Sequence, residues 1–260
     1  MYLKPKKSLG QNFLVDKNIL QKIVAACSIN YDDQVLEIGP GRGELTGLLV
    51  QQAAKVIAFE IDRGLYEILL NTFTGVDNLR IVRQDILKAD LGSYLGDSGK
   101  FRVIANIPYY ITTQINELIV KNRNLIDSAY LTVQKEFAER MVAVSGSKVF
   151  GSFSCFVQYY TEPEILFKIK KTSFRPVPKV DSCLLKLKLR KEMLLGEAEE
   201  KKLFRITRTA FNQRRKTLRN SLEGVVAKDK LEHFFSAFHI DENTRPESLS
   251  LADFINLAKL

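Results

Sequence analysis

Cysteine is scarce in this chain. Its 260 residues hold three, Cys27, Cys155 and Cys183, and none stands in a C-x-x-C pair. An odd number of widely spaced thiols excludes a disulfide framework and a cysteine-rich zinc site, and suits a reducing compartment. Histidine is scarcer still. His233 and His239 both sit in the apolar stretch HFFSAFHI, where packing or surface roles suit them better than metal ligation. Long apolar runs are missing too. The opening MYLKPKKSLGQNFLVD has no apolar signal core, and no stretch is long enough to cross a bilayer. A soluble, cytoplasmic protein with neither a membrane partner nor a metal is expected. Acid is the last shortage: 39 basic residues face 30 acidic ones, a formal net charge of +9. Such an excess points to a polyanionic partner only if it is concentrated in one place.

What the chain has is alternation. DQVLEIG, KVIAFEID, LRIVRQD, FRVIAN and SAYLTVQ read as short, apolar strands. Between them GRGELTGLLVQQA, RGLYEILLNTF and TQINELIVKN read as amphipathic helices, and KEFAERMVAV follows as another. Strands apolar on both faces need cover on both faces, which predicts an α/β domain with a mostly parallel sheet. SCFVQYYTEPEILFKI and SCLLKLKLR alternate in polarity and are expected as strands paired at the sheet edge. Composition then changes at GEAEEKK. From Glu197 onward the pattern is helical and basic, so a boundary is placed at Leu195–Gly196. It divides a Rossmann-like domain, residues 1–195, from a small all-α domain, residues 196–260.

The first strand runs into Glu37-Ile38-Gly39-Pro40-Gly41-Arg42-Gly43-Glu44. Gly39 and Gly41 at this bend let a ligand come close to the backbone. A dinucleotide fingerprint would need a third glycine where Glu44 stands. A cofactor with an amino-acid tail and a positive sulfonium suits the loop better. Glu60 ends the second strand about 20 residues downstream, where an acid can grip both hydroxyls of a ribose. Asp85 ends the third, where it can accept from an adenine amine, and Asn106 ends the fourth. Each acid alone fits a helix cap. Four polar residues at four successive strand ends point to S-adenosylmethionine.

FRVIANIPYYITT ends its strand on Asn106-Ile107-Pro108-Tyr109. Proline stops the ladder and stiffens the corner. An adenine amine is a poor nucleophile because its lone pair is spread into the ring. The Asn106 side-chain oxygen and the Ile107 carbonyl can each accept one of its N–H bonds, which favours a pyramidal nitrogen. Tyr109 can stack on the base. This is positioning and electrostatics, with no strong general base, and it requires an unstacked base such as RNA loops offer.

KSLGQNFLVD, EIGPGRGELT, AFEID, QDIL, NIPYYITT, QKEFAERMVA and SFRPVPKVDS resemble, in order, the motifs of the ribosomal RNA adenine dimethyltransferases. AFNQRRKTLRNSL and RPESLSLADFINL resemble the small-subunit branch of that family, the KsgA family. The resemblance implies a class I S-adenosylmethionine-dependent methyltransferase fold, and dimethylation of two adjacent adenosines near the 3′ end of 16S rRNA during 30S maturation. It places cofactor contacts on Gln11, Asn12, Leu14, Gly39, Glu60, Asp85 and Asn106, with Tyr109 and Phe174 as the aromatic clamp. Phe174 also fits a core aromatic held near prolines. One departure is Ser147-Lys148-Val149-Phe150-Gly151-Ser152, where relatives often carry Tyr-Gly-Arg; it puts an RNA contact in doubt. Val177 stands for a common proline.

Between Lys201 and Arg219 there are eight basic residues and no acid. Arg208, Arg214, Arg215, Lys216 and Arg219 are the expected phosphate contacts, and Lys4, Lys6 and Lys7 extend the footprint. A monomer is expected. The rivals are a macrolide-resistance 23S rRNA methyltransferase, a protein-glutamine methyltransferase, and a non-enzymatic RNA-binding assembly factor.

Overall fold

Val35, Leu36, Val56, Ile57, Val103 and Ile104 are all but inaccessible to solvent, so their strands can lie only inside a sheet covered on both faces. The computed structural model describes residues 5–6, 9–96 and 100–260. In chain order it runs β1 (Phe13–Leu14), α1 (Lys17–Cys27), β2 (Gln34–Ile38), α2 (Glu44–Leu49), β3 (Lys55–Phe59), α3 (Arg63–Thr72), β4 (Leu79–Val82) and α4 (Leu91–Leu95). Next come β5 (Phe101–Asn106), α5 (Thr112–Lys121), β6 (Ile126–Gln134), α6 (Lys135–Met141), α7 (Ser152–Tyr160), β7 (Thr161–Ile169), β8 (Phe174–Arg175) and β9 (Ser182–Leu189). Four helices close the chain: α8 (Glu197–Asn212), α9 (Leu218–Ser221), α10 (Lys228–Ala237) and α11 (Leu251–Lys259).

Seven strands form one sheet in the order β4-β3-β2-β5-β6-β9-β7. The first five are mutually parallel and β9 runs antiparallel to β6. Strand order reverses at β2 and β5. The loops leaving those two strands therefore diverge and open a crevice, the place where ligands sit in open α/β sheets. β1 and β8 form a separate antiparallel pair.

The described residues up to 138, with 164–189, form one compact unit that holds the parallel strands; 139–163 with 190–260 form a second. This division differs from the sequence-expected one in where it puts 139–163 and 190–195. Aromatic packing explains the difference. Phe150 meets Phe211 edge-on at 5.7 Å, and Phe156, Tyr159 and Tyr160 all lie within 5.6 Å of the Phe204 ring.

SCFVQYY is also not a strand. It forms α7, and only TEPEILFKI continues as β7. Phe153, Phe156 and Tyr160 recur at helical spacing and share one face, whereas the polar residues between them mimic alternation. Among residues that sequence patterning passed over, α1 buries Leu20, Ile23, Val24 and Cys27 along one stripe, and Asp16 caps it by accepting from the N–H groups of Asn18 and Ile19. At roughly 1.5–3 kcal/mol per buried aliphatic side chain, that stripe outweighs the marginal stability of so short a helix alone. All three cysteines are buried and outside any disulfide, and burial pushes the Cys27 and Cys155 thiols up to about 12. His233 and His239 are exposed. Among the described residues no helix is long and apolar enough to cross a membrane, and no group of His, Cys, Asp and Glu could hold a metal ion.

Candidate active site

The parallel register sets Ile38 level with Phe59 on one side and with Ala105 on the other. Gly39, Glu60 and Asn106 therefore follow at the same height on three adjacent strands. Above them lies a cavity of about 240 Å³. Gln11, Asn12, Gly39, Gly41, Glu60, Asp85, Asn106 and Tyr109 all line it. Residues spread over a hundred positions of sequence meet there.

Two glycines shape the floor. Gly39 has φ +70°, and a β-carbon built there would meet nothing within 4 Å, so any side chain would project into open space at the cavity wall. Gly41 has φ +61°, and a β-carbon would press on the Phe13 ring at 3.0 Å. Its N–H donates to Glu60 Oε2 at 3.1 Å. Glu60 Oε1 accepts from the Asp62 N–H at 2.8 Å. The carboxylate is 4% exposed and fixed by both oxygens. Burial pushes its pKa up, the N–H groups of Asp62 and Gly41 pull it back only in part, and the Asp62 charge adds to the rise.

Asp85 serves two ends at once. Oδ1 accepts from the Leu87 N–H at 3.0 Å, capping the short turn Ile86–Lys88, while the side chain borders the cavity. Asn106 is oriented by its amide: Nδ2 donates to the Asn12 carbonyl at 3.0 Å. This fixes which way the carboxamide points and leaves Oδ1 as the acceptor. Tyr109 is half-buried, with its hydroxyl 2.8 Å from Ser182 Oγ, and burial raises its pKa so that the phenol stays neutral at physiological pH.

Asp62 had no role in the sequence reading and is a hub here. Oδ1 accepts from the N–H groups of Gly64 and Leu65 at the start of α3; Oδ2 takes the Lys6 ammonium at 2.8 Å and Gln11 Nε2 at 3.4 Å. Burial alone would raise its pKa, but Lys6 and the backbone N–H groups outweigh burial and hold the carboxyl below its usual range. The Lys6 N–H also donates to Gln11 Oε1 at 2.7 Å. Lys6 is thus paired beside the cavity-lining Gln11 with its side chain still half-exposed, and Lys4 and Lys7 lie outside the described residues.

Glu37 lies beneath the glycine turn, 1% exposed, accepting from Thr46 Oγ1 at 2.7 Å. Burial pushes its carboxyl from 4.5 up to about 8 against that hydrogen bond, and the charges of Glu60 and Glu44 add to the rise. The folded protein holds a proton that the unfolded chain gives up above its ordinary pKa. Stability should therefore fall as pH rises from about 5 to about 8, then level off. Glu37→Gln should remove that fall and be the more stable protein at pH 8. Melting temperatures measured at pH 6 and pH 8 test this, and an unaltered pH slope in the variant would contradict it.

Two expected residues stand apart from the cavity. Leu14 and Phe174 face each other across the β1–β8 pair, 5% and 1% exposed, inside the apolar core with Leu20, Ile23 and Val24. Leu14 does border a smaller cleft that shares Gly39 and Asn106 with the cavity. Phe174 borders neither. Its side chain is taken up by core packing, which is the other role its sequence context fits.

In the helical unit Arg208, Arg214, Arg215 and Lys216 are exposed. Arg214 donates to the Lys148 carbonyl at 2.9 Å, which ties it to the segment 147–152. Phe150 in that segment is buried. Arg219 differs from these four. It pairs with Glu242 at 2.6 Å and Glu232 at 3.9 Å and lies over the Phe235 ring, so later acids neutralise a charge that looked unopposed locally. Arg208, Arg215 and Lys216 make no ion pair among the described residues.

A family model described as ribosomal RNA adenine dimethylase matches residues 2–260. A protein named ribosomal RNA small subunit methyltransferase A from Geobacillus thermodenitrificans is 43% identical, over 97% of this chain and 89% of that protein. One of the same name from Moorella thermoacetica is also 43% identical, over 99% and 92%. Among solved structures, a dimethyladenosine transferase from Plasmodium falciparum superposes with a TM-score of 0.82 at 28% identity, covering 94% of this chain and 95% of that one. The 23S rRNA methyltransferase ErmE gives 0.75 at 26% identity, covering 95% and 100%.

Proposed function

Because the chain belongs to the ribosomal RNA adenine dimethylase family, we infer that it methylates the N6 amines of two adjacent adenosines in the 3′-terminal hairpin loop of small-subunit rRNA, with S-adenosylmethionine as donor. The carrying observation is the Asn106 carboxamide, anchored through Nδ2 to Asn12 with Oδ1 left to accept at the cavity. The donor would supply an electrophilic methyl group on a sulfonium, its S–CH3 bond breaking to release S-adenosylhomocysteine as a neutral thioether. What the residues offer fits it: open space at Gly39 for a close backbone approach, a fixed carboxylate at Glu60 for ribose hydroxyls, and Asp85 for the adenine amine. The target amine would give one N–H to Asn106 Oδ1 and one to the Ile107 carbonyl, while Tyr109 stacks on the base. Both acceptors draw the nitrogen toward a tetrahedral shape. Its proton leaves to water after transfer, so neither a strong base nor a metal is needed.

Arg208, Arg215 and Lys216 are assigned to rRNA phosphates, in a helical RNA-binding domain. We place the protein in the cytoplasm as a monomer acting on immature 30S subunits. The large-subunit reading is disfavoured by the higher identity to proteins named for the small subunit, 43% against 26% for ErmE. Offering each purified subunit with methyl-labelled donor tests the choice. Label is expected in small-subunit rRNA, and label in 23S rRNA alone would reverse the assignment. The Lys6–Asp62 pair makes a separate claim. Lys6→Ala should raise KM for the donor roughly threefold to fivefold, the scale of a half-exposed ion pair, and leave the KM for RNA unchanged. A change in RNA affinity alone would assign Lys6 to the RNA footprint instead.

A further inference from the structure

Tyr109 is held at both ends. Its carbonyl accepts from Thr112 Oγ1 at 3.0 Å, Pro108 before it fixes the backbone, and its hydroxyl meets Ser182 Oγ at 2.8 Å across 73 positions of sequence. Ser182 is a rigid post. It is fully buried, it opens β9, and it pairs in register with Gln134 of β6. Asp181 before it is fixed in turn: its carbonyl accepts from the Lys135 N–H at 3.0 Å and its carboxylate from the Lys171 N–H at 2.9 Å. A ring pinned at Cα and at its hydroxyl keeps its χ1 rotamer. Because a phenolic O–H lies in the ring plane, the bond also biases χ2. The antiparallel end of the sheet thereby sets the attitude of an aromatic face that belongs to the parallel end.

We propose that Ser182 is a positioning residue for adenine recognition, holding the Tyr109 ring in the orientation that stacks on the target base. The proposal rests on the assignment of Tyr109 as the stacking ring. Stacking is worth most when the face is already oriented before the base arrives, since orientation then costs nothing in the complex. The hydroxyl pair supplies that orientation from a post that does not itself line the cavity.

Full-length Ser182→Ala, Tyr109→Phe, the double variant and Tyr109→Ala separate the possibilities. Each is assayed for kcat and for both KM values. Each is also bound to substrate RNA carrying 2-aminopurine at the target adenosine, whose short fluorescence lifetime reports stacking. Ser182→Ala and Tyr109→Phe should each lower kcat about fivefold to tenfold, the scale of one hydrogen bond. They should shrink the short-lifetime fraction of the bound RNA and leave the donor KM and the melting temperature in place. The double variant should be no worse than either single one, because both remove the same bond. Tyr109→Ala should abolish the short-lifetime fraction. If it does, while Ser182→Ala leaves that fraction and kcat unaltered, the positioning role is overturned and the stacking ring stands. A Ser182→Ala loss that tracks a lowered melting temperature with normal stacking also overturns it. If Tyr109→Ala leaves stacking intact, the ring assignment fails and takes the proposal with it.

Discussion

Asn106→Ala is expected to lower kcat by about 100- to 1000-fold, the range seen when one preorganised polar contact to a reacting group is removed, while Kd for small-subunit rRNA stays within about twofold. The separation follows from geometry. Under the proposed function Asn106 Oδ1 accepts from the amine that reacts, whereas RNA affinity comes from cations in the helical unit. Asn106→Asp probes the same point from the other side. It keeps the acceptor but loses the Nδ2 donor that ties the side chain to the Asn12 carbonyl, so it should fall between wild type and alanine. Single-turnover rates with preformed RNA complexes give the cleanest measure. Equal losses in turnover and RNA affinity for Asn106→Ala would contradict the role.

The second large effect is in salt dependence. Replacing Arg208, Arg215 and Lys216 together by alanine should weaken rRNA binding by one to two orders of magnitude at low salt. It should also flatten the plot of log K against log salt by roughly 2, since each phosphate contact on single-stranded RNA contributes about 0.7 to the slope. Arg219→Ala should behave otherwise. That guanidinium already answers Glu242 and Glu232, so its loss should lower melting temperature and leave the slope alone. A steep slope surviving the triple replacement would remove these cations from the interface.

The strand tips were legible because their signals are local. A run of Val, Leu and Ile stopped by glycine, acid or Asn-Ile-Pro says both that a parallel strand ends and that something polar waits there. The basic cluster was legible as composition but not as free charge, because the acids that quench Arg219 arrive on a later stretch of chain. The core packing of Phe174 was hidden for a similar reason. Its partner Leu14 lies at the far end of the unit's sequence, and nothing near SFRPVPKVDS announces that β8 zips onto β1. The aromatics of α7 satisfied two periodicities at once, and only contact with Phe204 decides between them. Asp62 and Ser182 act through bonds spanning dozens of residues, which no window along the chain displays. Asp62 still carried a weak local sign, an acid directly ahead of the helix RGLYEILL.

The β1–β8 pair makes the N-terminal arm a working part of the protein. Leu14 faces Phe174, and the residues just ahead of Phe13 wall the cavity. Cutting the chain after Leu14 would thus unroof a greasy interior and strip one side from the cleft in a single stroke. Proteolysis there should register first as aggregation, with inactivity following from it, and donor bound in the cleft should slow the cut.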